Sequence, residues 1–207
     1  MADNVTTQTS TLATVPNATG IETRDQGSGI QRQVTTTLTV VHPNAQFTRP
    51  ANTTAYVVGY EVSNSTTAGS VTAMSFAVAN GSAVTQSKAT LSVRRCRIKK
   101  SGTVLTNAQF RLHLYISDPT ATSGNTAGDG AAMSVKDTTG FLEIGYLDVL
   151  SMIALNDCAI GFGVPVIGSE VNVVPTSGNI YGLLEARAAY TPASGEVFTI
   201  HLEAWQW

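Results

Sequence analysis

The sequence predicts an all-β fold, a β-sandwich or jelly roll carrying an extended N-terminal arm. Three observations predict it. Charged residues make up only 13% of the 207-residue chain, about half the usual globular share of roughly 25%. Thr, Ser, Ala and Gly fill the deficit, and small and β-branched side chains suit pleated surfaces. Apolar and polar residues alternate with period two in one segment after another. No long segment carries the i, i+3, i+4, i+7 apolar stripe of an amphipathic helix.

Residues 1–33 differ from the rest. They are rich in Thr, Ser, Gln and Gly, with isolated apolar residues at Val5, Leu12, Val15, Ile21 and Ile30. No period holds there, so the segment is expected to be an extended arm that orders where it meets a partner. Leu12, Val15 and Ile21 are its candidate anchors. The domain proper is expected over 34–207.

From Val34 the alternation is strict, with Val34, Leu38 and Val40 on one face and Thr35, Thr37 and Thr39 on the other. The stretch 47–64 holds Pro50 and Gly59 and is expected to be a loop with short extended pieces. Met74, Phe76 and Val78 alternate up to the turn at Asn80-Gly81. A further run begins at Ala89 and ends at Ser101-Gly102. The clearest strand is 110–117, with Phe110, Leu112, Leu114 and Ile116 on one face and Arg111, His113 and Tyr115 on the other. Asp118-Pro119 ends it, and the glycines of 120–132 mark a long loop. Strands are expected near 141–150, 159–164, 180–190 and 197–207, with a helical turn between Val149 and Leu155. About eight strands joined by turns, without internal repeats, read as a sandwich or jelly roll.

Chemistry-bearing patterns are few. His42, His113 and His201 lie in no metal or catalytic spacing. His113 and His201 are expected on solvent faces, and His201 with Glu203 supplies two metal ligands at most. Asp118, Asp129 and Asp137 lie in or near the long loop without calcium-loop spacing, and turn formation accounts for them. Cys96 and Cys158 make neither a disulfide framework nor a zinc site, and their surroundings predict buried thiols. No nucleophile elbow or phosphate loop occurs. No catalytic residue, cofactor or metal is therefore expected. The net charge of -2 signals neither a nucleic-acid nor a membrane partner. No apolar run approaches the roughly 18 residues of a membrane helix, and the N-terminus shows no secretory leader pattern.

Two features remain. Arg94-Arg95-Cys96-Arg97-Ile98-Lys99-Lys100 concentrates charge. On a strand it puts Arg95, Arg97 and Lys99 on one face and Arg94 and Lys100 on the other. It could grip phosphates, form a solvated edge that resists aggregation, or dock on an acidic protein lattice. The C-terminal Trp205 and Trp207 fall on the outer face with His201 and Glu203. They are interface anchors or fold over the rim. Arg94, Arg95, Arg97, Lys99, Trp205 and Trp207 thus join the arm residues as interface candidates.

The stretch Phe47-Thr48-Arg49-Pro50-Ala51-Asn52-Thr53-Thr54-Ala55-Tyr56, with Gly59 and Val62-Ser63-Asn64-Ser65, resembles a segment of tailed-bacteriophage structural proteins. Asn107-Ala108-Gln109-Phe110-Arg111-Leu112-His113-Leu114-Tyr115, Asp118-Pro119 and the strand from Phe141 to Tyr146 resemble a second hallmark of that group. The loop Gly128-Asp129-Gly130-Ala131-Ala132 departs from its more polar and aromatic form. The resemblance implies a virion protein made in the host cytoplasm, with capsid decoration as its role. Such a cement protein would bind the major capsid protein on the outer shell surface and bridge its subunits. A closed homotrimer is expected from the low charge, the Trp pair and the resemblance. A tail fibre or baseplate component is the alternative. A carbohydrate-active protein would need clustered aromatics, and aromatic residues are only 7%.

Overall fold

The structure is a computed structural model that describes residues 22–25, 31–34, 39–78, 90–121, 126–135, 142–175 and 178–206. Every regular element among them is a strand: β1 (Glu22–Asp25), β2 (Gln31–Val34), β3 (Thr39–Val41), β4 (Asn44–Thr48), β5 (Tyr60–Val62), β6 (Met74–Ala77), β7 (Leu91–Lys100), β8 (Phe110–Tyr115), β9 (Glu143–Val149), β10 (Met152–Ala154), β11 (Ala159–Pro165), β12 (Val171–Val173), β13 (Asn179–Ala186) and β14 (Val197–Gln206). No helix of the described residues is long and apolar enough to cross a membrane.

The chain divides into two compact units, residues 1–38 and 39–207. In the first, β1 pairs antiparallel with β2, Glu22 opposite Val34 and Asp25 opposite Gln31. The expected arm therefore contains a paired ribbon rather than one extended segment. Its candidate anchors Leu12, Val15 and Ile21 lie outside the described residues.

In the second unit all pairings are antiparallel and join twelve strands in the order β3-β14-β7-β11-β9-β8-β13-β5, with β4 on β14, β12 on β7, β10 on β11 and β6 on β13. The chain of pairings folds over at β11. Its residues Ala159 to Gly163 pair with β7, whereas Val164 and Pro165 pair with β9. Two halves result, sheet I (β3, β4, β14, β7, β12, β11, β10) and sheet II (β5, β6, β13, β8, β9). One buried cluster draws on both, with Cys96, Ile98, Ile200 and Leu202 from sheet I and Leu112, Leu114, Leu147 and Ile180 from sheet II. Phe110 of β8 meets Phe198 of β14 edge to face, with ring centroids 5.4 Å apart. The arrangement is consistent with a β-sandwich, and nothing in the strand order singles out a jelly roll.

Period-two patterning explains most of the packing. Along β14, residues 198, 200, 202, 204 and 206 are buried and the alternate ones are half-exposed. Phe110, Leu112 and Leu114 point inward as the sequence predicts, and Cys96 and Cys158 are buried free thiols. Several expectations change. In β3 it is Val41 that is buried while Val40 is exposed, so the apolar parity switches at the Val40-Val41 doublet. The segment expected as a helical turn holds β10, which pairs with β11 through Met152 and Gly161. A short apolar run has no intrinsic preference strong enough to outweigh a neighbouring strand edge.

Two buried ion pairs close one end of the sandwich. Arg49 Nη2 lies 2.8 Å from Asp129, and both side chains are essentially inaccessible. Asp129 also accepts the Tyr56 hydroxyl at 2.5 Å and the Ser63 amide at 3.0 Å. Asp129 is thus far more than a turn former. It fastens the loop 126–131 to β5. Gly128 fits there because a Cβ would come within 2.7 Å of the Thr66 carbonyl oxygen, at a φ of +96°. The second pair is Lys100 with Glu196 at 3.1 Å, with Tyr190 donating to the same carboxylate at 2.5 Å.

Candidate docking face

The outer face of sheet I departs from the expected polar exterior, and the sequence of β11 explains why. Its inward positions are Ala159, Gly161, Gly163 and Pro165. A Cβ at Gly161 would stand 2.5 Å from a Val149 methyl, and one at Gly163 would stand 2.7 Å from another. Small residues are therefore forced onto the inward parity, and the large apolar ones, Ile160, Phe162 and Val164, fall on the outward parity. Phe162 is 51% exposed, whereas Val164, 61% exposed, already stands in sheet II opposite Asp148 of β9. Ile153 of β10, opposite Ile160, is 58% exposed. Leu150, Leu155, Val166 and Ile167 are exposed along the adjoining turns. Exposed apolar side chains grouped on one sheet face are a candidate interaction surface.

Beside it runs the basic stripe of β7. Lys99 stands opposite Ile160 and Arg97 opposite Phe162. Arg95, Arg97 and Lys99 are all exposed, on one face as predicted. Arg95 is answered by Glu203, 2.6 Å away on β14. Arg97 and Lys99 have no carboxylate partner among the described residues.

Arg94 is placed differently from the expectation. The β7–β14 register runs Glu203 opposite Arg95 and then Ala204 opposite Val93. Arg94 is the extra residue of a bulge, which breaks the parity and re-aims its side chain. Instead of facing away from Arg95, it stacks on Trp205 at 4.3 Å and reaches Glu170 at 3.1 Å. Trp205 is on the outward parity, half-buried under this guanidinium. Trp207 lies outside the described residues.

Across the stripe, His42, His201, Arg95, Arg97, Phe162 and Glu203 line an open pocket of about 270 Å³. Burial, then Arg97 and His42, push the His201 imidazole below its ordinary range.

Sheet II carries the other charged cluster. His113 is not a free surface histidine. Its Nδ1 lies 2.9 Å from Glu143 and its Nε2 3.0 Å from Glu185. Burial opposes the charged form, but the two carboxylates outweigh it and raise the His113 pKa. Arg111 forks onto Asp148 at 2.6 and 2.8 Å. With both His113 nitrogens and both Asp129 oxygens engaged, these groups act as fasteners. Glu61 is buried, its Oε2 accepting the Ala127 and Gly128 amides at 3.2 Å while its Oε1 has no partner. Burial pushes its carboxyl above the usual range. No group of three or more His, Cys, Asp or Glu among the described residues is placed to hold a metal.

The apolar half of this face was the part that sequence reasoning missed. Its signal was the Ala-x-Gly-x-Gly-x-Pro parity of 159–165, which sends the large residues outward. No family model matches the chain, and comparison with curated proteins and with solved structures found no match.

Proposed function

We propose that the chain is a structural protein that docks through the outer face of sheet I onto the surface of a larger assembly. On the strength of the resemblance to phage structural proteins, that assembly is the capsid of a tailed phage, which the protein decorates. One observation carries the docking reading: Ile153 and Phe162 stand exposed on one face beside Arg97 and Lys99, which no carboxylate among the described residues answers. Apolar side chains at this density contribute roughly 1.5–3 kcal/mol each when covered, and a rim of cations orients the approach. Docking of this kind uses no active site. Trimeric assembly would present three such faces to a three-fold lattice and multiply weak contacts through effective concentration.

The test is add-back to mature shells that lack the protein. The full chain should co-sediment with shells. A chain starting at Val34 should bind more weakly to the extent that the arm contributes. Ile153→Lys combined with Phe162→Lys should lose at least tenfold in affinity while its thermal unfolding stays unchanged. Unimpaired binding by the double variant overturns the docking face. Binding to purified tails but not to shells replaces the decoration role with a tail role. Light scattering on the free protein checks the trimer.

A further inference from the structure

We propose that the pocket formed by Arg97, His201, His42 and Phe162 is a socket for a single carboxylate side chain of the docking partner, and that filling it draws a proton onto His201. The inference rests on the docking reading and specifies what the partner presents.

The geometry starts from register. His201 on β14 is the direct cross-strand partner of Arg97 on β7 and of Asn44 on β4. Arg97 in turn stands opposite Phe162 on β11. The row Asn44, His201, Arg97, Phe162 therefore crosses four strands on one face, and His42 joins it at the rim of the pocket. Among the charged groups that face His201, Arg95 and Glu203 neutralise each other at 2.6 Å, and Lys99 lies one row away. Arg97 is the nearest charge left unanswered. Its planar fork of donors matches a carboxylate bidentately.

His201 is the second half of the device. Burial and the neighbouring Arg97 and His42 disfavour its protonated form. A carboxylate entering the pocket reverses the field from Arg97 and restores the proton. Binding should therefore tighten as pH falls, by about tenfold for each unit by which the anion raises the His201 pKa. Phe162 walls one side and shares its face with Ile160, opposite Lys99. That setting suits an acidic group carried on an apolar protein surface. A nucleic acid would need a track of several unpaired cations, whereas among the described residues of this face only Arg97 and Lys99 lack a carboxylate partner. The pocket, about 270 Å³, has room for one side chain.

The experiment follows the histidine ring signals of the full-length protein by NMR. It uses four probes: a blocked peptide alternating Glu and Leu, its Gln and Leu counterpart, inorganic phosphate, and single-stranded oligothymidylate. The Glu peptide should shift the His201 signals and bind at least tenfold tighter than the Gln peptide at pH 7, and tighter still at pH 6. Arg97→Ala should abolish the difference between the peptides with thermal unfolding unchanged. His201→Gln should keep binding and lose its pH dependence. Equal binding of the two peptides, an unmoved His201 titration, or a preference for phosphate or oligothymidylate overturns the socket. A flat peptide comparison alongside loss of shell binding in the Ile153/Phe162 variant removes the socket and leaves the docking reading standing.

Discussion

The two outer faces of the sandwich are made from equally regular alternating strands, yet one is roofed and the other is bare. On sheet II the outward Tyr115 and Leu183 are buried beneath Val71 and Ala73, with Met133 and Val135 packed alongside. Its charged cluster is paired, His113 between Glu143 and Glu185 and Arg111 with Asp148. On sheet I the outward Ile153 and Phe162 are exposed, and Arg97 and Lys99 have no carboxylate partner among the described residues. The difference lies in the loops. The Arg49–Asp129 pair pins the segment 126–131 against β5, and the Ala131 carbonyl accepts the Glu61 amide at 2.8 Å. No described loop does the same for β11. An apolar strand face is therefore core or interface according to whether a fastened loop returns over it.

The largest expected effect breaks the roof. Asp129→Ala leaves the Arg49 guanidinium buried and uncompensated, which costs about 3–5 kcal/mol. Urea unfolding should show that loss, together with binding of a hydrophobic dye as the sheet II face opens. A cost under about 1 kcal/mol would mean that the loop is held by something else.

A smaller effect sharpens the electrostatics of the roofed side. The folded pKa of His113 is raised, so its contribution to stability is fully present below about pH 6.5, the ordinary histidine value. It is lost as pH rises through the raised folded value. His113→Gln should flatten that fall when stability is measured against pH between 6 and 9. An unchanged profile would remove the two-carboxylate clamp from the account.

The smallest effect belongs to the bare side. Arg95→Ala breaks an exposed ion pair with Glu203 and should change stability by no more than about 0.5 kcal/mol. Thermal unfolding is a sufficient check.

How much was legible in the sequence follows from the same contrast. Strands whose apolar residues face the core, such as 110–114, show their faces by parity alone. The basic stripe was legible up to Arg95, because Arg95, Arg97 and Lys99 share a parity. Arg94 was not, since a bulge depends on the register with β14 and leaves no local mark. Asp129 looked like one more turn residue in a Gly-rich loop, because its partner Arg49 is 80 residues away. The apolar half of the docking face was hidden by expectation. Large residues at 160, 162 and 164 were assigned no face, whereas the glycines between them are what the core requires.

The central claim is that the bare face, and not surface charge in general, makes the contact. Two chains with equal added charge decide it: Ile153→Lys with Phe162→Lys on the bare face, and Thr53→Lys with Thr54→Lys on an exposed loop elsewhere. Both should fold with the stability of the parent chain. In co-sedimentation with shells lacking the protein, the loop variant should match the parent and the face variant should bind at least tenfold more weakly. Equal binding by the two variants would contradict the account.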